Sequence, residues 1–241
     1  MYRLITVIIF LFLVNSCQKS NKDNYKNGYI MSGSIESILN GNMVYLKTQE
    51  NKRIKVIDST NIINGKFQFQ GKIDQPIVYG LYIEDSKDAI GVFMENDTIY
   101  IEAYKDSLAK SKITGSKTHD EYLNFIKQSN NIVSKMNHLF PIFQKARAEN
   151  DADKLEEINA QMRAINEENT VFAIKYAKRH PDSYISALAL QSVLTVPTID
   201  KDTIAKIYNN FSDYVKKGDF AIEIAQYLDG SQSLDSIINE N

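Results

Sequence analysis

Few residues in this chain of 241 have types and spacing suited to chemistry. The three histidines, His119, His138 and His180, are far apart, and no His-Glu-x-x-His or other zinc spacing occurs. His119 is expected in the first turn of a helix, His180 near a helix end, and His138 partly buried beside Leu139. Glu84, Asp85 and Asp88 cluster in "EDSKD" and could offer oxygens to calcium. Their spacing fits no calcium loop, so a solvated turn is the plainer reading. Asp151, Asp153, Glu156 and Glu157 suit the positive end of a helix dipole. Tyr45, Tyr79, Tyr82 and Tyr100 could form an aromatic platform for a glycan or a peptide, although cross-strand packing is the commoner role of such residues. There is no Gly-x-Ser-x-Gly and no glycine-rich phosphate loop. No catalytic residue, metal site or cofactor is therefore expected.

One further side chain could react, the single cysteine Cys17. Met1-Tyr2-Arg3 gives a positively charged start, and Leu4 to Val14 is apolar apart from Thr6. A run this short cannot cross a hydrocarbon core, which takes about 20 helical residues. It reads as a signal peptide over residues 1–16, cut between Ser16 and Cys17. Val14-Asn15-Ser16-Cys17 resembles the bacterial lipobox, with Asn15 departing from the usual small residue. The resemblance implies a diacylglycerol on the Cys17 sulfur, and a second acyl signal makes such anchoring stable. The expected home is the cell envelope, at the outer membrane. The periplasmic side is favoured over the cell surface because "QKSNK" lacks an early acidic cluster. A lipidated Cys17 leaves no thiol for a disulfide, a redox pair or a cysteine zinc site.

Behind these residues stands an α+β chain. Residues 17–28 read as the lipidated Cys and a polar flexible tether. Residues 29–115 read as an antiparallel β-sandwich or barrel-like domain of seven short strands. Its clearest hairpin is expected at 61–73, where Asn64-Gly65 suits a turn with two positive φ angles. Phe67 and Phe69 should face the core there and Gln68 and Gln70 the solvent. In "RIKVID" (53–58), Ile54 and Val56 alternate with Lys55 and Ile57, and Gly80 marks a bulge or a close approach. Residues 116–230 read as helical. Thr118 and Glu121 form a capping-box pattern, Pro141 should kink or end the first helix, and Asp151 and Asp153 open the second. Ser183 is a cap, and a helix over 200–217 should end at Gly218. Residues 231–241 form a tail. The formal net charge of −2 gives no indication of a nucleic-acid partner.

"SGSI", "VYLKT", "DSTNIINGKFQFQGKI", "MENDTIYI" and "GSKTHDEY" occur in this order. Together they resemble a Bacteroidetes-type lipoprotein domain of unknown function, usually found ahead of a thioredoxin-like domain of the alkyl hydroperoxide reductase and thiol-specific antioxidant class. "AKRHPDSYISALAL" is similar to the helical connector of such proteins. The resemblance implies a β domain, a lipid anchor and a place near thiol-redox chemistry. The relatives continue into a Cys-x-x-Cys domain, whereas this sequence stops at Asn241, so a member truncated before that domain is one expectation. Asp97-Thr98-Ile99, Asp106-Ser107-Leu108, Asp202-Thr203-Ile204 and Asp235-Ser236-Ile237 also resemble the O-glycan acceptor pattern of such bacteria. The expected role is a membrane-anchored, non-catalytic envelope lipoprotein that binds a partner or ligand. The alternative is an accessory of an extracytoplasmic thioredoxin-like system.

Overall fold

The computed structural model describes residues 28–50 and 53–230. The predicted signal peptide with Ser16, the lipidation site Cys17, the tether up to residue 27, the tail 231–241 and the triplet Asp235-Ser236-Ile237 lie outside the described residues. The strands are β1 (Tyr29–Glu36), β2 (Met43–Glu50), β3 (Arg53–Asn61), β4 (Lys66–Gly71), β5 (Ile77–Ile83), β6 (Ala89–Met94), β7 (Thr98–Tyr104) and β8 (Lys112–Thr114). They form two four-stranded sheets, ordered β4-β1-β7-β8 and β3-β2-β5-β6. Alternation puts Met31, Phe69, Ile99 and Ile101 of the first sheet against Val44, Leu46, Leu81 and Met94 of the second, in one sandwich core.

The chain is thus an α+β protein with an amino-terminal β domain, as the alternating pattern predicts, with eight strands rather than seven. The pairing departs from an all-antiparallel plan at one place, where β1 lies parallel to β7. Parallel neighbours need a long crossover, and here the chain builds the whole second sheet between them. The Asn64-Gly65 turn has the expected positive φ angles, 53° and 71°. Ile63 and Lys66 exchange both backbone hydrogen bonds across it, at 3.0 Å each. The predicted hairpin goes no further. β3 pairs with β2 and β4 with β1, so the turn is a corner between sheets. Ile62, wholly buried, draws the chain inward at that corner. Phe67 and Phe69 are buried, and Gln68 and Gln70 are exposed.

β3 is an outermost strand of its sheet, and neither of its faces is buried. Ile54 and Val56 remain 66% and 53% exposed. The irregularity in the sheet also lies here. Leu46 pairs with Asp58 and Lys47 with Val56, which leaves Ile57 as the extra residue of a bulge. Gly80 keeps regular pairing with Lys47 and Gly91. Its role is the close approach of the Tyr82 ring, which a Cβ would meet at 2.7 Å.

The helices are α1 (Lys117–Val133), α2 (Leu139–Ala148), α3 (Ala152–Arg179), α4 (Tyr184–Gln191), α5 (Lys201–Asn209), α6 (Asp213–Lys216) and α7 (Asp219–Asp229). Asp151 caps α3 and Ser183 caps α4, as expected. The cap of α1 is Ser116, not Thr118. Ser116 Oγ accepts from the His119 N–H at 3.0 Å, while Thr118 and Glu121 turn to other partners. Pro141 neither ends nor kinks a helix. The break precedes it, in a 3-10 segment over Ser134–His138, and Pro141 sits in the first turn of α2, where its missing N–H costs little. The predicted helix over 200–217 is two, because Ser212 caps a new start. Gly218 has an ordinary φ of −76° and precedes α7; the left-handed stop is Gly230. His138 is exposed, contrary to expectation, because the 3-10 segment presents it to solvent.

The helices carry two cores. The larger centres on α4, whose Ile185, Ala187, Ala189 and Leu190 are at most 1% exposed. The smaller joins Leu139 and Ala146 of α2 to Ile158 and Ile165 of α3. Phe93 of β6 reaches into the larger one and so joins sheet to helices. Among the described residues no helix is long and apolar enough to cross a membrane.

Candidate functional site

The strongest candidate is a trough on the outer face of the β4-β1-β7-β8 sheet. Its floor follows from register. Ser32 of β1 stands between Gln68 of β4 and Tyr100 of β7, and Ser34 stands between Lys66 and Glu102. Two short side chains in the middle strand, flanked by long ones on both neighbours, make a channel along β1. Thr60, Asn61 and Ile63 close one side from the corner between β3 and β4, and the cavity measures about 460 Å³.

Tyr100 defines the chemistry. It pairs with Ser32, yet its hydroxyl is hydrogen-bonded to Ser34 Oγ at 3.0 Å. The ring therefore leans diagonally over β1 and does not stand upright from the sheet. It remains 46% exposed. Glu102 is engaged by the Tyr104 hydroxyl at 2.7 Å, and this hydrogen bond raises the Tyr104 pKa above its ordinary value. The trough thus offers amide, hydroxyl and ammonium groups around one open aromatic ring.

The other expected platform tyrosines do not join it. Tyr79 is buried in the sandwich core, where burial raises its pKa. Tyr45 and Tyr82 are paired neighbours on the second sheet, and the Lys47 ammonium lies 5.2 and 4.4 Å from their ring centroids. Those ring faces already hold a cation. Glu84 accepts from the Met43 N–H at 2.8 Å, which makes it a turn brace. Among the described residues no group of three or more His, Cys, Asp or Glu is arranged to hold a metal ion.

His119 is where the sequence places it, in the first turn of α1, and it is only 4% exposed. Its Nδ1 accepts from the Phe93 N–H at 3.5 Å, a long contact that leaves the neutral ring's proton on Nε2. Burial lowers its pKa. Ser116 Oγ donates to the Phe93 carbonyl at 2.9 Å, so serine and histidine both brace β6. His180 ends α3 against the Tyr176 ring. Of the acceptor-like triplets, Thr98 is exposed at the start of β7, Ser107 precedes a 3-10 turn, and Thr203 Oγ1 donates to Asp200 at 2.8 Å.

Sequence reasoning singled out Tyr100 but not its setting. The signal was there in part. "SGS" and "FQFQ" both alternate, so their small and amide side chains share the outer face. What the sequence did not provide was the β4-β1-β7 order that brings them together.

The fold defines an α+β protein whose β-sandwich is latched to a helical region. Within it, residues 29–122 match the model of the family described as "Domain of unknown function (DUF4369)". The match covers the sandwich and runs into the first turns of α1, taking in Ser116, Thr118, His119 and Tyr122. Comparisons with curated proteins and with solved structures gave no match.

Proposed function

We propose that this protein is a non-catalytic binding module of the cell envelope, held to a membrane by lipid on Cys17, that takes its ligand in the trough of the first sheet. The observation that carries the reading is the outward-facing row Gln68–Ser32–Tyr100 with Lys66–Ser34–Glu102 beside it. These side chains lie on a sheet face whose β1 backbone is already paired on both sides, so side chains must do the recognising. His119 and Ser116 are spent on bracing β6. The lipobox-like Val14–Cys17 supports the anchor and the envelope location, and "QKSNK", with no early acidic cluster, favours the periplasmic side of the outer membrane. The thioredoxin-like context of the resemblance makes an envelope redox protein one partner to look for, with this chain as its accessory.

A photoreactive residue at position 68 in cells tests the binding reading. It should trap an envelope component that the same probe at exposed Lys175 of α3 does not. Equal labelling at both positions would overturn it. Cys17→Ala tests the anchor separately. The variant should accumulate unprocessed or leave the membrane fraction, and continued cleavage with membrane retention would remove the lipid from the reading.

A further inference from the structure

Resting on that reading, we infer that the trough is a saccharide site, in which the Tyr100 ring stacks on a sugar's C–H face while Gln68, Asn61, Ser32 and Lys66 meet its hydroxyls. Three features select this class. First, the Tyr100 ring is laid over the floor by its bond to Ser34 and keeps nearly half its surface open. A pyranose presents an apolar C–H face and a polar rim, and the electron-rich face of an aromatic ring attracts such C–H groups. Second, the rim groups are of the kinds that bond sugar hydroxyls in both senses. Gln68 and Asn61 carry a donor and an acceptor each, Ser32 and Thr60 a hydroxyl that does either, and Lys66 an ammonium.

Third, the trough is ill suited to an extended peptide. Strand addition needs unpaired backbone at a sheet edge, and β1 is flanked by β4 and β7. A peptide reading by side-chain anchors needs a deep apolar hole, and Ile63 is the one aliphatic side chain turned to the trough, since the Phe67 ring lies in the sandwich core.

The test uses the full chain, held in a detergent whose headgroup is not a sugar. Calorimetry is run against cello-, xylo-, manno- and chito-oligosaccharides, an oligogalacturonate and a mixed peptide library, each at about 10 mM, where even a millimolar site is mostly filled. At least one saccharide should bind. Tyr100→Ala should weaken it by about tenfold with the melting curve unchanged. Tyr100→Phe, which keeps the ring and frees it from Ser34, should bind more weakly than the unaltered chain and more tightly than Tyr100→Ala. No binding by any saccharide, or binding indifferent to Tyr100→Ala, overturns the saccharide assignment. Peptide binding blocked by Gln68→Ala would overturn it as well, while leaving the binding-module reading in place. Equal photo-labelling at positions 68 and 175 would remove the module reading itself.

Discussion

His119 lies between β6 and the first turn of α1, and burial holds its pKa below the ordinary 6.5, with Asp120 opposing the shift only in part. The neutral ring is the form that fits, since Nδ1 must accept from the Phe93 N–H. The sign follows from linkage. Below the ordinary pKa the unfolded chain takes up a proton that the folded chain resists, so stability falls as pH drops from about 7 towards 5. His119→Gln, which keeps an acceptor and cannot titrate, should flatten that slope. Melting temperatures of both proteins across this range check it, and parallel slopes would assign the acid sensitivity to other groups. The sequence showed His119 as a helix-start residue. It could not show Phe93 above it, because that contact joins residues far apart in the chain. Tyr100 is similar. Its alternation in "TIYIEA" was readable, but its setting depends on β1 bringing two short serines beside it.

At the scale of elements, patterns that depend on near neighbours were legible and those that depend on the partner sheet were not. The Asn64-Gly65 turn and the caps Asp151 and Ser183 were readable because each acts within a few residues. The ends of that turn diverge into two sheets for a reason written elsewhere, in the burial of Ile62. β3 looked like an ordinary alternating strand because its side-chain pattern says nothing of its place at the edge. The α1 cap was misplaced by two residues because Glu95 of the β domain claims Thr118 through both its N–H and its hydroxyl, at 3.1 and 2.9 Å. Gly115, just before the true cap, has a φ of 92°, and a Cβ there would run into the Thr98 carbonyl. Gly115→Ala should thus cost more than the roughly 1 kcal/mol of a simple glycine conformational penalty. Ser116→Ala should cost about 1–2 kcal/mol, from the lost cap and the unpaired Phe93 carbonyl. Urea denaturation measures both. A Gly115→Ala change of only a few tenths would mean that the β8–α1 joint yields easily.

For the whole molecule, the consequential place is the seam where Phe93 leaves the sheet for the helical core. It is 5% exposed, with its ring centroid 4.9 Å from Tyr122 of α1 and 6.5 Å from Phe220 of α7. Around it, Ser116 and His119 bond the Phe93 backbone, and Glu95 holds the start of α1. The family match, residues 29–122, takes in Phe93, Glu95, Ser116, His119 and Tyr122 of this latch. A seam this well filled should make sandwich and helices unfold together. Truncating Phe93 to Ala should cost about 3–5 kcal/mol, as for other buried aromatics. The loss should fall on the coupling, since the sandwich core excludes Phe93. Helix content by far-ultraviolet circular dichroism and tyrosine fluorescence should thus give one coincident melt in the unaltered protein. In Phe93→Ala the helical signal should melt first and the curves should separate. Two transitions in the unaltered protein would show that the seam does not couple the halves. A single lowered transition in the variant would assign the coupling to Glu95 and Ser116, and Glu95→Gln in the Phe93→Ala background should then split it.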